Sequence, residues 1–480
     1  MQQPNFLPMS RAEYSALGWS ELDVVIVSGD AYVDHPAFGA ALLGRVLVAH
    51  GFSVGIIAQP RGDRDDDFLA LGRPRLFFGV TAGNMDSMVN HYTAQRKPRS
   101  DDAFSPHGKA GSRPDRATLV YTQHLRRLFK GVPVVIGGIE ASMRRIPHYD
   151  FWSDKVRNSI LFDAKADLLV YGMAEKTIVA LATHLRMEDR SRIQDPGSGI
   201  GRLLARLPGT VVAVKEPDGD SFAMMPSWEE SRSPEGFLAM SRLFHSQYRT
   251  TTLFQPCAGR YLKHNTPAPP LTTAELDAVY ALPFARAPHP RYKNAVIPAF
   301  VQIKDSVTAH RGCFGGCAFC ALGYHQGTVI QSRSIASVKG EILRMAQAPG
   351  FSGTVSDVGG PSANMYGMTC RKEREGSGVR VQDGMSRPAA GSGVRGQERK
   401  FRWRHAVAGS RACTRTSVRI LMRRTRKCGG CLPSAAVYPA SRMYSSRPAS
   451  GSTWRFRTTS TSATLPGITP AAGLRLRPSM

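Results

Sequence analysis

Apolar runs of strand length alternate with segments of helical periodicity along the first 190 residues. The runs share a richness in Val, Ile, Leu and Phe and lie at residues 23–29, 52–58, 75–80, 132–136 and 167–171. Short continuous runs of this kind are typical of parallel strands that are buried on both faces. Apolar residues recur at helical spacing between these runs, over residues 37–50 and 117–130, and after the last run, over residues 174–185. The alternation predicts an α/β fold with a doubly wound parallel sheet, in which ligands bind at the carboxyl ends of the strands.

The pattern weakens after this region and then becomes regular again. Residues 191–295 predict one strand at 210–214 and helices at 226–245 and 272–282, and we interpret them as a connector. Further strands are predicted at 300–307 and 351–358, on either side of a helix at 334–348. The expected domains are therefore 1–190, 191–295 and 296–370, followed by a tail at 371–480.

The charge distribution sets this tail apart from the rest of the chain. Residues 371–480 hold 20 Arg, 3 Lys and 4 acidic residues, and they carry +19 of the net charge of +26. No acidic residue follows Glu398. An Arg-rich, Lys-poor segment interleaved with Ser, Pro, Gly and Ala is what a frameshifted GC-rich reading frame would give, so we expect a disordered, frameshift-derived tail; a genuine disordered basic tail is the alternative. Only non-specific nucleic-acid binding is expected from it.

Targeting signals are not evident in the sequence. The first 19 residues have no apolar core of a secretory signal, and no run of 18 apolar residues predicts a membrane span. We therefore expect a cytoplasmic protein without a membrane partner, in which cysteines stay reduced.

Three cysteines in one short segment form the strongest candidate site. Cys313, Cys317 and Cys320 follow a C-x3-C-x2-C spacing, with several glycines in the loop between them. A [4Fe–4S] cluster normally takes four thiolates, so three ligands leave one iron open for a substrate or cofactor. A structural zinc site with His310 or His325 as the fourth ligand is the alternative.

An aromatic residue, Phe319, precedes the third cysteine, and the whole motif resembles the signature loop of radical S-adenosylmethionine (SAM) enzymes. The resemblance implies a full or partial (β/α) barrel, a cluster on the three cysteines and SAM on the open iron. It also implies that Phe319 lies near the adenine and that Gly359 and Gly360 contact the SAM amino group. In this chain Pro361 stands where the family has an acid. The chemistry requires a one-electron donor of the flavodoxin or ferredoxin type.

Other segments resemble the YgiQ-like radical SAM family more narrowly, from about residue 20 to residue 370. They are DAYVDHP at 30–36, GGIEAS at 137–142, HYDFW at 148–152, HQG at 325–327, SRS at 332–334 and GGPSANMY at 359–366. The resemblance implies a cobalamin-binding type of N-terminal domain and leaves the substrate unknown. The usual D-x-H-x-x-G cobalamin motif is absent, because His35 begins His-Pro-Ala-Phe-Gly, so a histidine ligand to cobalt at this position is not expected.

The predicted function is radical chemistry on an unknown substrate, with a [4Fe–4S] cluster and SAM as cofactors. We expect a barrel that is cut short after residue 370 to leave apolar faces uncovered and the chain inactive. Glu140, at the end of a predicted strand, is a candidate general base, although most such acids are solvated or cap a helix. The alternatives are a basic nucleic-acid-binding protein, an RNA-modifying radical SAM enzyme and a zinc-binding scaffold.

Overall fold

The computed structural model describes residues 4–187, 206–219, 221–348, 350–351, 353–361 and 364–369. The predicted tail at 371–480 and Cys370 lie outside the described residues. None of the described helices has the length and apolar character needed to cross a membrane.

The α-helices of the described residues are mostly short. In chain order they are α1 Arg11–Ala16, α2 Gly39–Ala49, α3 Asp66–Leu69, α4 Ser87–His91, α5 Ala117–Leu128, α6 Gly138–Met143, α7 Ile160–Ala164, α8 Glu175–Met187, α9 Pro234–Gln247, α10 Thr273–Tyr280, α11 Pro298–Ile303, α12 Leu322–His325 and α13 Ile335–Gln347.

The strands are also short. In chain order they are β1 Val24–Ser28, β2 Val33–Asp34, β3 Val54–Ala58, β4 Phe77–Thr81, β5 Val134–Gly137, β6 His148–Asp150, β7 Lys155–Arg157, β8 Leu168–Val170, β9 Thr210–Val214, β10 Phe222–Met224, β11 Thr252–Cys257, β12 Arg260–His264, β13 Ala287–Pro288, β14 Ser306–Thr308, β15 His310–Arg311, β16 Gln331–Ser332 and β17 Asp357–Gly359.

A large mixed sheet forms the centre of the described structure. Its nine strands run in the order β10-β11-β12-β9-β8-β5-β4-β1-β3, as far as the described residues extend. The five neighbouring strands β8, β5, β4, β1 and β3 pair in parallel, as the apolar runs predict. All five residues of β1 are buried, which fits a strand covered on both faces. The predicted α/β class with a large parallel sheet is confirmed.

The parallel part is extended by strands from residues 210–264, which the sequence presents as a connector. Strand β9 pairs antiparallel with β8, and β12 pairs antiparallel with β9. Strands β11 and β10 complete this side of the sheet. This part of the chain therefore carries sheet structure continuous with that of the N-terminal region.

A second, smaller unit follows and contains the cysteine segment. Strands β14 and β17 pair in parallel, with Val307 opposite Val358. Helix α13, whose N-cap is Ser334, lies between them in the chain and packs Val338 and Met345 against Val307. This strand–helix–strand unit is the arrangement that the sequence predicts for the start of a (β/α) barrel.

The prediction of one strand over residues 300–307 is wrong. Pro298 occupies the first turn of α11, where its fixed φ and missing N–H suit a helix start. Only Ser306–Thr308 forms a strand. The second predicted strand is likewise shorter, at Asp357–Gly359. The helix predicted from residue 226 begins at Pro234, capped by Ser233.

Candidate functional site

The cysteine loop is closed at a neck formed by the residues on either side of it. Strands β15 and β16 pair antiparallel. The Gly312 amide donates to Gln326 Oε1 at 3.2 Å, and the Cys313 amide donates to the Gly327 carbonyl at 3.0 Å. Gly312 has a φ of +87°, and a Cβ there would lie 2.1 Å from the Val329 carbonyl oxygen. The neck therefore requires glycine at this position.

The three cysteines lie on this loop as free thiols, with Cys317 exposed and the other two half-buried. The sulfurs of Cys313 and Cys317 lie 3.4 and 3.8 Å from the point where a Cβ on Gly315 would be. The Cys320 amide donates to the Cys317 carbonyl at 3.0 Å. The number and type of these donors, three accessible thiols on one short loop, fit a cluster with one open iron.

The sulfurs are not gathered around a common point in this conformation. Among the described residues, no three His, Cys, Asp or Glu side chains lie close enough together to hold a metal ion. The two histidines of the zinc alternative have other contacts. His310 accepts from the Met365 amide at 3.4 Å, and His325 Nδ1 lies 3.1 Å from Ser142 Oγ. Metal binding at this loop therefore requires the cysteine side chains to converge.

Gly359 and Gly360 lie beside the strand that leads into the loop. The Ala309 amide donates to the Gly359 carbonyl at 2.6 Å. A Cβ on Gly360 would lie 2.5 Å from the His310 carbonyl oxygen, so no side chain fits there. The structure thus brings the glycine pair next to β15, close in the fold to the start of the cysteine loop. Phe319 is 93% exposed.

Asp34, at the end of β2, and His35, which follows it, are both buried. Asp34 forms an ion pair with Arg45 and accepts from the Ala285 amide at 2.8 Å. His35 Nδ1 accepts from the Ala37 amide at 3.1 Å, and its ring meets Phe300 edge-on. Burial, followed by the charge of Arg286, lowers the pKa of His35. Because the His35 ring is enclosed by protein, it does not fit the role of a cobalt ligand.

Glu140 is buried as well, and its carboxylate is fully engaged. It accepts hydrogen bonds from the Ser87 amide at 2.8 Å, the Ser87 hydroxyl at 2.5 Å and the Thr118 amide at 3.1 Å. Thr118 is in the first turn of α5, where a negative charge is stabilised by the free amides and the helix dipole. The geometry supports a structural role for Glu140 rather than that of a general base.

A buried charged cluster at the end of β1 was not anticipated from the sequence. Asp30 lies 3.0 Å from Arg113, which also pairs with Asp102 at 3.0 Å. Burial raises the pKa of Asp30 to about 6, although Arg113 opposes this shift. The position of Asp30 just after an apolar run was the available signal. Arg113 lies far away in the chain, and no local pattern links it to Asp30.

Several relatives are similar to this chain over most of its length. A UPF0313 protein of Rhodopseudomonas palustris is 51% identical over 383 residues, which cover 76% of this chain and 56% of that relative. A UPF0313 protein of Geobacter sulfurreducens is 52% identical over 381 residues, which cover 78% of this chain and 61% of that relative. UPF0313 protein YgiQ of Escherichia coli is 46% identical, with 77% and 57% covered. The chain thus spans somewhat over half the length of these relatives.

One solved structure with detectable similarity to this chain is that of the radical SAM methyltransferase TsrM of Kitasatospora setae, with cobalamin and a [4Fe–4S] cluster bound. It is 19% identical, with a TM-score of 0.37, and covers 71% of this chain and 47% of that protein. This similarity is too low to transfer a cofactor or a substrate.

The decisive match is to a protein-family model. The family described as Radical SAM N-terminal matches residues 6–306, which is more than half of the chain and ends just before the cysteine loop. Together with the YgiQ relatives, this match confirms the family predicted from the sequence motifs. It also supports an iron–sulfur cluster and SAM as the cofactors of the family to which the motif points. The chain therefore belongs to the Radical SAM N-terminal family.

Proposed function

We propose that this chain binds a [4Fe–4S] cluster through Cys313, Cys317 and Cys320 and binds SAM beside it. The observation that carries the proposal is the closed cysteine loop, which directly follows the region that matches the family. When bound, the cluster and SAM supply one-electron reductive chemistry. The reaction acts on a substrate that is not identified, and a flavodoxin- or ferredoxin-type protein supplies the electron.

The chain's own residues have four tasks in this function. The three thiolates hold iron, and the glycine-dependent neck fixes where the loop begins and ends. Gly359 and Gly360 lie next to β15 and would offer backbone groups to the amino group of SAM. Phe319 offers an exposed ring for the adenine, since stacking on an aromatic face is a common way to hold a base. The roles of the cysteines, of Phe319 and of the glycine pair are those that the family resemblance implies.

Cysteine substitution tests the metal site directly. The full chain is reconstituted anaerobically with iron and sulfide, and bound iron is measured for the wild type and for Cys313→Ser, Cys317→Ser and Cys320→Ser. We expect about four iron atoms per wild-type chain and a large loss in each variant.

Cys257→Ser is the matched control. Cys257 is buried in β11 and accepts from the Asn158 side chain at 3.1 Å, away from the loop. It should keep the full iron content. Equal iron in all the variants, or one tightly held zinc ion in place of iron, would contradict the proposal.

A further inference from the structure

The residue before the cysteine loop is held by the N-terminal part of the fold. Arg311 is 3% exposed, and its guanidinium forms an ion pair with Glu175, which is 4% exposed. Arg311 Nε also donates to the Tyr280 hydroxyl at 3.1 Å, and the guanidinium lies over the Tyr280 ring at 5.1 Å. A buried charge keeps its position because leaving its partner is costly. Glu175, the first residue of α8, therefore fixes one side of the neck.

The other side of the neck is held by the same region, at His325, the residue before Gln326. His325 Nδ1 lies 3.1 Å from the hydroxyl of Ser142 in α6. The same hydroxyl accepts from the Gly172 amide at 3.1 Å. A Cβ on Gly172 would lie 3.3 Å from the His325 carbonyl oxygen, so the backbones approach closely here. Burial, then the charge of Arg145, lowers the pKa of His325 to about 4, and the ring is neutral near pH 7.

Both contacts come from helices that follow neighbouring parallel strands. Helix α6 begins directly after β5, and α8 begins a few residues after β8, the neighbouring strand. Because the Cys313 amide is bonded to the Gly327 carbonyl, the two sides of the neck move together. A shift at either contact is therefore passed to the cysteines. This is the edge of the sheet at which ligands bind in doubly wound folds.

We propose that Glu175 and Ser142 are positioning residues for the cluster loop, acting through Arg311 and His325. The N-terminal sheet then holds the loop by both ends and sets where the three thiolates stand relative to its own strand ends. This inference rests on the proposed function. Neither residue is a proposed iron ligand, and each acts on the cysteine loop through one intermediate side chain.

The test measures how firmly the cluster is held in Glu175→Gln and Ser142→Ala. The full-length variants are reconstituted anaerobically, and the rate of iron loss to an excess of chelator is followed. Residues that orient metal ligands typically change metal affinity strongly on mutation, so we expect roughly 10-fold faster iron loss. The EPR spectrum of the reduced cluster should change shape in both variants.

Two controls match these changes. Glu275→Gln removes an exposed charge that pairs with Lys176. The capping box of α10 is preserved, because glutamine can replace glutamate at this position. Ser246→Ala removes a hydroxyl that donates to the Leu243 carbonyl in its own helix at 2.9 Å. Both should release iron at the wild-type rate. Thermal unfolding of each variant separates a loop effect from a loss of folding, and Ser142→Ala decides the question if Glu175→Gln does not fold.

The outcomes are distinct for the two proposals. If the wild type takes up a cluster and both variants match its rate of iron loss and its EPR spectrum, the positioning role is wrong and the proposed function stands. If the wild type takes up no cluster, both proposals are wrong. The double variant Ser142→Ala/His325→Asn adds a further check. Its rate of iron loss should not exceed that of whichever single variant, Ser142→Ala or His325→Asn, loses iron faster, because Ser142 acts through His325.

Discussion

Gly360, the residue after β17, lies so close to His310 that the carbonyl and the ring of His310 fill the space where a side chain at residue 360 would be. A Cβ there would also come within 2.6 Å of His310 Nδ1. The sequence identifies the Gly359-Gly360 pair by its place after a predicted strand, but it gives no sign of this close packing. Residue 310 is about fifty residues earlier in the chain, and the contact arises only once the strand–helix–strand unit has formed.

Replacing Gly360 with alanine should therefore destabilise the small unit. Overpacking of this kind costs about 1–3 kcal/mol, which we expect to observe in the free energy of unfolding by urea. Gly340→Ala is the control, because that glycine is inside α13 and a Cβ would make only an ordinary 3.6 Å contact with Arg344. The control should be more stable than the wild type by about 0.5–1 kcal/mol. Equal stability of the wild type and Gly360→Ala would show that the backbone contact is not rigid.

The buried carboxyl of Asp30 gives a prediction for pH dependence. Its pKa in the folded protein is about 6, above the ordinary 3.8, so the folded state binds this proton more tightly than the unfolded state. The resulting stabilisation is fully present below the unfolded pKa and is lost as the pH rises through 6. From about pH 4 to about pH 7, the wild type should lose on the order of 2–3 kcal/mol relative to Asp30→Asn.

Asp63→Asn provides the comparison for Asp30→Asn. Asp63 is exposed, and its hydrogen bond with Arg61 lowers its pKa. Its contribution therefore has the opposite sign, since it is present at higher pH and lost as the pH falls. Solvent screening keeps it small. A stability difference between the wild type and Asp30→Asn that does not change with pH would contradict the raised pKa of Asp30.

Elements of the parallel sheet follow from the sequence because their physical signal is local. A strand that is buried on both faces is predominantly apolar. Strands β1 and β3 can therefore be recognised in the sequence as continuous apolar runs. The strands from residues 210–264 are different. Phe222–Met224 is largely exposed at the edge of the sheet, and such a short segment has no pattern of its own. The segment 300–307, wrongly predicted as one strand, contains residues of high β propensity, but Pro298 favours the start of a helix there.

Helix α10 is an element whose start the sequence does predict. Thr272 accepts from the Glu275 amide at 3.3 Å, and Glu275 accepts in return from the Thr272 amide at 2.7 Å, which completes a capping box. Thr272→Ala should lower the free energy of unfolding by about 1 kcal/mol. Urea unfolding checks this value against Thr273→Ala, the neighbouring change inside the helix. Equal losses in the two variants would contradict the role of Thr272 as the cap.

At the scale of the whole molecule, the sequence predicts the chemistry of the cysteine loop but not the long-range contacts that hold the loop in the fold. The spacing of the three cysteines is visible in eight residues, whereas Glu175 and Arg311 are 136 residues apart and meet only in the folded chain. The same applies to Ser142 and His325, which are 183 residues apart. Long-range pairs of this kind depend on how the sheet and the small unit pack, which no local pattern encodes. Cluster binding by the cysteines stays a prediction until it is measured.

EPR of the reduced, anaerobically reconstituted full chain, recorded before and after SAM is added, tests the central claim most directly. We predict the signal of a reduced [4Fe–4S] cluster, a change in that signal when SAM is added, and loss of the signal in Cys317→Ala but not in Cys257→Ala. The change on adding SAM reports an open iron, which three thiolate ligands leave available. A cluster signal that SAM leaves unaltered, or a chain that holds zinc and gives no cluster signal, would contradict the account.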